Sequence, residues 1–365
     1  MNKIVLRESP LRTAMLMTVS AIAGGLLSSI SFTPQYFSLS RLRSPFIPED
    51  IAASPTKLHN HSFIPEEALQ KVAEAQKVRV LCWVLTHPAT HYTKSVHVKA
   101  TWGSHCDKLI FMSTKNDPKL GAIDLGVPEG RNELWAKTKA AFTYVYKNHL
   151  NDYDWFFKAD ADTYTIMENM RYMLSIYDPN FPIYFGSRFR LFTKKGYMSG
   201  GAGYVLSREA VKQFVEVSLP NKTLCSPSIT GIEDLEMGIC LNNIGVLGGD
   251  SRDGKGRGRF FPGTLTSYLF NELHFSLLDY AYYNLNTGLN CCSDSAVSFH
   301  NIDIRKMYEM EYLLYHLRPH GVCPKHPIPA PLPPDTDSVP SQVLKMRGVT
   351  ATVGAAQRGI NTYKP

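Results

Sequence analysis

"DWFFKADADTY", Asp154 to Tyr164, is the stretch from which the rest of the chain is read. An apolar run rich in aromatics ends in two carboxylates one residue apart, Asp160 and Asp162. The run predicts a buried strand, at whose end unpaired charge would be costly. In extended backbone, residues i and i+2 point the same way, so Asp160 and Asp162 can present two carboxylates to one hard cation. Taken alone, Asp-x-Asp also caps turns and helices, and the residues that follow predict a helix from about Thr165 to Ile176.

On either side the pattern repeats. "VRVLCWVLTHP" (Val78 to Pro88) and "DKLIFMST" (Asp107 to Thr114) are apolar runs that predict strands, and "FPIYFGS" predicts another. "ELWAKTKAAFTYVYKNHL" has the helical period, with Leu134, Ala141 and Val145 in one stripe and Trp135, Phe142 and Tyr146 beside it. Alternating strands and helices predict an α/β domain with a largely parallel sheet. In such a sheet ligands gather beyond the carboxyl ends of the strands, where Asp160 and Asp162 stand.

Three further segments could join them. "AVSFHNID" sets His300 after an apolar run, and its imidazole could complete a mixed oxygen and nitrogen metal site or serve a structural role. Such a set favours manganese over calcium and leaves magnesium open. "GIEDLEMGICL" places Glu233 and Asp234 at a helix start, with Ile232, Leu235 and Ile239 as its expected buried stripe. Acidic residues there complement exposed N–H groups or, beside a cleft, supply a general base. "MSGGAGYVLS" (Met198 to Ser207) is a glycine-rich turn running into a strand, either a tight structural turn or a close approach to a ligand. Its spacing matches neither a dinucleotide fingerprint nor a P-loop.

The 365 residues carry a net charge of +7 without a basic stripe interleaved with aromatics, so no nucleic-acid partner is expected. Residues 14–36 are uncharged and follow Lys3, Arg7 and Arg12. They predict a signal-anchor membrane segment behind a cytoplasmic tail, residues 1–13, with a cleaved signal peptide as the alternative. Residues 37–76 read as a stem, 77–323 as the compact body, and 324–365 as a Pro-rich, disordered tail. Seven cysteines with no CxxC pair suit disulfides in an oxidising lumen better than a zinc ribbon. Asn60 and Asn221 head glycosylation triplets.

Taken in order, "LWAKTKAAFTYVY", "DWFFKADADTY", "SGGAGYVLSREA", "IEDLEMGICL", "GGDSRD", "CCSDSAVSFH" and "MYEMEYLLYHLRP" resemble the animal core 1 β1,3-galactosyltransferases, within the larger β1,3-glycosyltransferase family. The resemblance runs from about Val80 to about Pro319. It implies a GT-A (Rossmann-like) domain on a Golgi type II single-pass membrane protein with its catalytic domain in the lumen. It also implies inverting transfer of galactose from UDP-galactose to O-linked N-acetylgalactosamine of glycoproteins, assisted by manganese or magnesium. Carried over residue by residue, Asp160, Asp162 and His300 become metal ligands, with Asp160 reaching the metal through water or touching the ribose. Asp234 becomes the catalytic base, with Glu233 beside it in the same acidic motif. Thr86, Arg131 and Lys137 become nucleotide-sugar contacts, and Gly200, Gly201, Tyr204 and Tyr282 line the donor and acceptor loops. The resemblance further suggests disulfides Cys82–Cys106, Cys225–Cys240 and Cys291–Cys292.

Two departures stand out. Ala161 replaces the middle aspartate of the family's acidic triplet, and the segment from about 255 to 290 matches poorly, so acceptor identity rests on less than donor chemistry does. A sibling transferase with another acceptor or donor, or a non-catalytic chaperone of such an enzyme, remains the alternative, and a homodimer stays open.

Overall fold

The protein is described by a computed structural model covering residues 78–318 together with 333, 334, 340, 343 and 344. The chain divides into two units, residues 1–62 and 63–365, and every described residue belongs to the second. The expected cytoplasmic tail, signal anchor and stem, Asn60 and Cys323 lie outside the described residues. Among the described residues no helix is long and apolar enough to cross a membrane.

The strands in chain order are β1 (Val80–Leu85), β2 (Lys108–Ser113), β3 (Ala122–Asp124), β4 (Trp155–Asp160), β5 (Tyr164–Thr165) and β6 (Ile183–Gly186). They continue with β7 (Arg188–Phe189), β8 (Tyr197–Met198), β9 (Tyr204–Ser207), β10 (Leu247–Gly248), β11 (Phe260–Phe261) and β12 (Ser298–Phe299). The helices are α1 (Val96–Ala100), α2 (Leu134–His149), α3 (Met167–Leu174), α4 (Arg208–Gln213), α5 (Glu233–Asn243), α6 (Leu265–Leu269), α7 (Phe275–Tyr280) and α8 (Ile304–Glu311).

A seven-stranded sheet in the order β10-β6-β9-β4-β1-β2-β3 forms the centre. Strands β1 to β4 run parallel, as expected, but β9 pairs antiparallel with both β4 and β6, so the sheet is mixed. The alternation of side chains divides the core. Val80, Cys82 and Val84 of β1 and Trp155, Phe157 and Ala159 of β4 pack with residues of α1, α3 and α8. Leu81, Trp83 and Leu85, with Phe156, pack with residues of α2, α4 and α5. Burial on both faces explains why β1 reads as an unbroken apolar run and β4 as one interrupted by Lys158 before its terminal aspartate.

The same alternation puts Phe156, Lys158 and Asp160 on one face of β4, while Ala161 turns back into the core. A second sheet, β11-β12-β5, then sets the site: β12 pairs antiparallel with β5 in the register Phe299↔Tyr164. His300, far along the chain from Asp162, is thereby delivered next to the turn that carries the two aspartates.

Some expectations change. The helix after Asp162 is shorter than Thr165 to Ile176, because Tyr164 and Thr165 pair as a strand first. In α5 the buried stripe is Met237, Cys240 and Leu241, with Glu233, whereas Ile232 is 60% exposed because it precedes the helix as its N-cap. Within the expected tail, Val343 is fully buried in the core, and its carbonyl receives the Asp178 N–H. Disulfides Cys82–Cys106, Cys225–Cys240 and Cys291–Cys292 are all formed.

Candidate active site

The chain turns sharply after β4, with the Thr163 N–H donating to the Asp160 carbonyl. The buried Thr163 hydroxyl receives the Asp160 N–H and donates to the Gly201 carbonyl, which pins this turn to the glycine-rich loop. The two carboxylates are left partly exposed on the open side. His300 Nε2 stands 3.3 Å from Asp162 Oδ1 and 3.9 Å from Asp160 Oδ2. One ligand atom from each of the three side chains lies within 4.8 Å of the others.

Two carboxylates and one imidazole with open positions suit a six-coordinate divalent ion of the manganese or magnesium type, and the donor set fits. The hydrogen bond from His300 is the largest influence holding the Asp162 carboxyl well below the usual carboxylate range, with the charge of Lys94 adding and burial opposing. A carboxylate that stays ionised is a ready metal ligand. Lys94 Nζ, half-exposed, sits 3.2 Å from Asp162 Oδ2, a cationic group at the rim of the same cluster.

The antiparallel run of β9 brings residues 199–203 to this end of β4, since Lys158 is opposite Tyr204. Both expected loop glycines are required by close approach. A Cβ on Gly201 would stand 2.5 Å from the His300 ring, and one on Gly200 would stand 2.8 Å from Glu233 Oε2. The Gly200 N–H donates to Asp234 Oδ2 at 2.9 Å, and Asp234 Oδ1 takes the N–H of Leu235. Asp234, partly exposed at the start of α5, is therefore held across one glycine-rich loop from the Asp160, Asp162 and His300 cluster.

Its neighbour is different. Glu233 is 7% exposed and receives hydroxyls from Tyr204 (2.5 Å) and Thr138 (3.0 Å), with Lys158 Nζ 3.5 Å away. Burial pushes the Glu233 carboxyl upward, against the opposing charge of Lys158. Two expectations are corrected here. Glu233 is a buried support, not a group facing a cleft. Tyr204 is a buried strand residue beneath the loop, 1% exposed, and its hydroxyl is committed to Glu233. Burial, then the Glu233 charge, raises the Tyr204 phenol well above its ordinary range, so it stays protonated as the donor.

The remaining expected contacts sit further out. Lys137 is buried, with Nζ 2.6 Å from the Thr86 carbonyl and 2.8 Å from Glu129 Oε1, so it ties the end of β1 to the loop that leads into α2. Arg131 is exposed in the turn before α2, and no described contact joins it to the cluster. Tyr282 lies under the Arg188 guanidinium, 4.1 Å from its ring centroid, just as Tyr283 lies under Arg252 at 3.6 Å. Beside His300 and Gly201 opens a cleft of about 530 Å³, walled by Phe189, Leu273, His274, Leu277 and Tyr280.

Lys94 and Lys158 were missed in the sequence. Lys158 had a signal: it is the one charge inside "WFFKA", on the same parity as Asp160. Lys94 had none, since its approach depends on the irregular helix after β1.

Comparison with known proteins adds family context. Residues 76–248 match the Fringe-like family model. Glycoprotein-N-acetylgalactosamine 3-beta-galactosyltransferase 1 of Xenopus laevis is 45% identical over 285 residues, covering 77% of this chain and 78% of that protein. Beta-1,3-glucosyltransferase of Mus musculus is 26% identical over 189 residues, covering 51% of this chain but 37% of that protein. Among solved structures, galactosyltransferase LgtC in complex with donor and acceptor sugar analogues overlays at a TM-score of 0.39 with 12% identity, covering 65% of this chain and 97% of that one.

Proposed function

This chain belongs to the family of the glycoprotein-N-acetylgalactosamine 3-beta-galactosyltransferases, and on that premise we propose that it moves galactose from UDP-galactose to the 3-hydroxyl of O-linked N-acetylgalactosamine on glycoproteins. Its body is read as a GT-A domain held in the Golgi lumen by the anchor at residues 14–36. The observation that carries the reading is the convergence of Asp160, Asp162 and His300 on one point, with Asp234 across a glycine loop from them.

Asp162 and His300 would hold a divalent cation, with manganese preferred, and Asp160 would hold it directly or through water. When bound, that ion neutralises the charge that builds on the departing diphosphate. The chain's own residues do the rest. Gly200 and Gly201 let the loop close against Glu233 and His300 without a side chain in the way. The Gly200 N–H and the Leu235 N–H aim the Asp234 carboxylate, which takes the proton of the acceptor hydroxyl. The acceptor oxygen bonds to the anomeric carbon as the bond to the phosphate oxygen breaks, and the electron pair leaves with UDP. A single displacement turns the α-linked donor into a β-linked product.

The assembled acidic cluster favours an enzyme over a non-catalytic chaperone. The cleft beside His300 is walled largely by residues 262–280, where the family likeness is weakest, so a sibling acceptor is the second reading. The test is an assay of the full chain with a panel of UDP-sugars and acceptors. Manganese-dependent galactose incorporation into an N-acetylgalactosaminyl peptide, in β1,3 linkage, is expected. Preference for another acceptor would select the sibling reading, and undiminished transfer in excess chelator would contradict the metal-assisted step.

A further inference from the structure

We propose that Lys158 is a positioning residue that fixes the acidic cluster relative to the Asp234 base through a single residue of the glycine loop, Gly200. This rests on the transfer reaction proposed above and assigns a role to a group outside the acidic motifs.

Lys158 is 1% exposed, in the middle of an apolar strand. Its Nζ lies 2.7 Å from Asp160 Oδ1, 3.0 Å from the Gly200 carbonyl and 3.5 Å from Glu233 Oε2. Two of the ammonium's three protons are donated, to Asp160 and to the Gly200 carbonyl, and the Glu233 carboxylate adds an ion pair. Gly200, whose carbonyl takes one of them, donates its own N–H to Asp234 Oδ2 at 2.9 Å. Hydrogen bonds thus tie Asp160 to Lys158 and Lys158 to the Gly200 carbonyl, and on the other side of the Gly200 Cα its N–H is tied to Asp234. The ring of Tyr204, 5.7 Å from Nζ, and the Tyr204 and Thr138 hydroxyls on Glu233 hold the far side of the ammonium.

Placement and chemistry favour positioning over mere packing. A buried ion pair stabilises a fold no better than apolar residues of similar volume, so core packing alone does not call for lysine here. A side chain at position 200 would crowd this link, since a Cβ there would stand 3.3 Å from both Lys158 Nζ and Asp234 Cβ. Geometry matters to the reaction because misplacing a reacting group by about 1 Å can lower the rate about 10²-fold.

Lys158→Met alone strands two carboxylates and threatens folding, so the test uses the charge-balanced pair Lys158→Met with Glu233→Gln, alongside Lys158→Arg. We expect the pair to melt near the parent, to bind UDP in the presence of manganese within about fivefold of it, and to lose about 10²-fold in kcat, with Lys158→Arg recovering part of that loss. In an Asp234→Asn background the same pair should lower kcat by less than about threefold more, because the effect passes through Asp234. Amide hydrogen exchange at Gly200, which needs no turnover, should become faster by about tenfold or more. Unchanged Gly200 exchange, or a folded pair with kcat near the parent, overturns the inference, as does a fully additive loss in Asp234→Asn. An inactive parent would sink the transferase reading, and the exchange measurement would still decide the role of Lys158.

Discussion

The central sheet and the stretch from Asp250 to Cys292 border the same cluster but are held together by different forces. Strands β1 and β4 are six residues long, nearly all buried, and bonded to neighbours on both edges. The second region has a strand of two residues and helices of five and six, and leaves Phe270, Phe275 and Leu289 more than half exposed. Polar contacts hold much of it in place. Arg257 pairs with Asp253 at 2.8 Å and with Asp294 at 2.9 Å, Arg252 pairs with Asp250, and the buried Arg259 donates to the Ser251 and Arg252 carbonyls. The first region owes its rigidity to the hydrophobic effect and places the cation site. The second is a lattice of charges from Asp250 to Arg259, followed by residues 262–280 that wall the cleft beside His300.

That contrast can be broken by mutation. The largest effect should fall on the chemistry held at the sheet's end. Asp234→Asn should lower kcat by about 10²- to 10⁴-fold while calorimetry finds UDP affinity nearly unchanged. A parallel loss of binding would mean that Asp234 supports the fold instead. Next comes the core beneath it. Phe157, fully buried and packed edge-on against Trp102, should cost about 3–5 kcal/mol of unfolding free energy when changed to alanine. Denaturant titration checks this, and a cost under about 1 kcal/mol would deny that this region is the tightly packed one.

In the polar region the penalties should shrink. Arg257→Ala removes partners from the buried Asp253, which keeps N–H donors from Lys255 and Arg257, so about 1–3 kcal/mol is expected. Adding salt should weaken the parent's advantage there far less than at an exposed pair, because Asp253 is screened little by solvent. The smallest stability change, about 0.5–1 kcal/mol, is expected for the exposed His274→Ala at the cleft wall, which removes the side-chain cap on the Ser276 N–H. Its signature should be a raised KM for the acceptor with KM for UDP-galactose unchanged. A change confined to the donor would move the acceptor site elsewhere.

How far each region could be read from the sequence follows the same divide. Apolar periodicity exposed β1, β2, β4 and α2, since burial on both faces or along one stripe leaves a pattern in the residues themselves. The i, i+2 logic of Asp160 and Asp162 was visible because it is local. The join to His300 was anticipated from the family likeness, while its physical cause, the pairing of β12 with β5, is a long-range event of two-residue strands. The family likeness sets Glu233 beside Asp234 in one acidic motif and Tyr204 in the glycine-rich loop, and it carries no information on which way each side chain points. Side chains one helical step or one strand residue apart point in different directions, and here both point inward. Ile232 and Leu235 misled for a similar reason, because the inward face of α5 begins at a carboxylate instead of at an aliphatic residue. The network of Arg252, Arg257 and Arg259 has no period and so left no trace to read.

Manganese titration followed by electron paramagnetic resonance tests the central claim most directly, comparing the parent chain with Asp162→Ala and His300→Ala in the presence of UDP. One bound ion per chain is predicted, with a nitrogen coupling from an imidazole that disappears in His300→Ala and binding that is severely weakened in Asp162→Ala. Manganese bound equally well by all three proteins, with the nitrogen coupling unchanged, would contradict a site built from Asp160, Asp162 and His300.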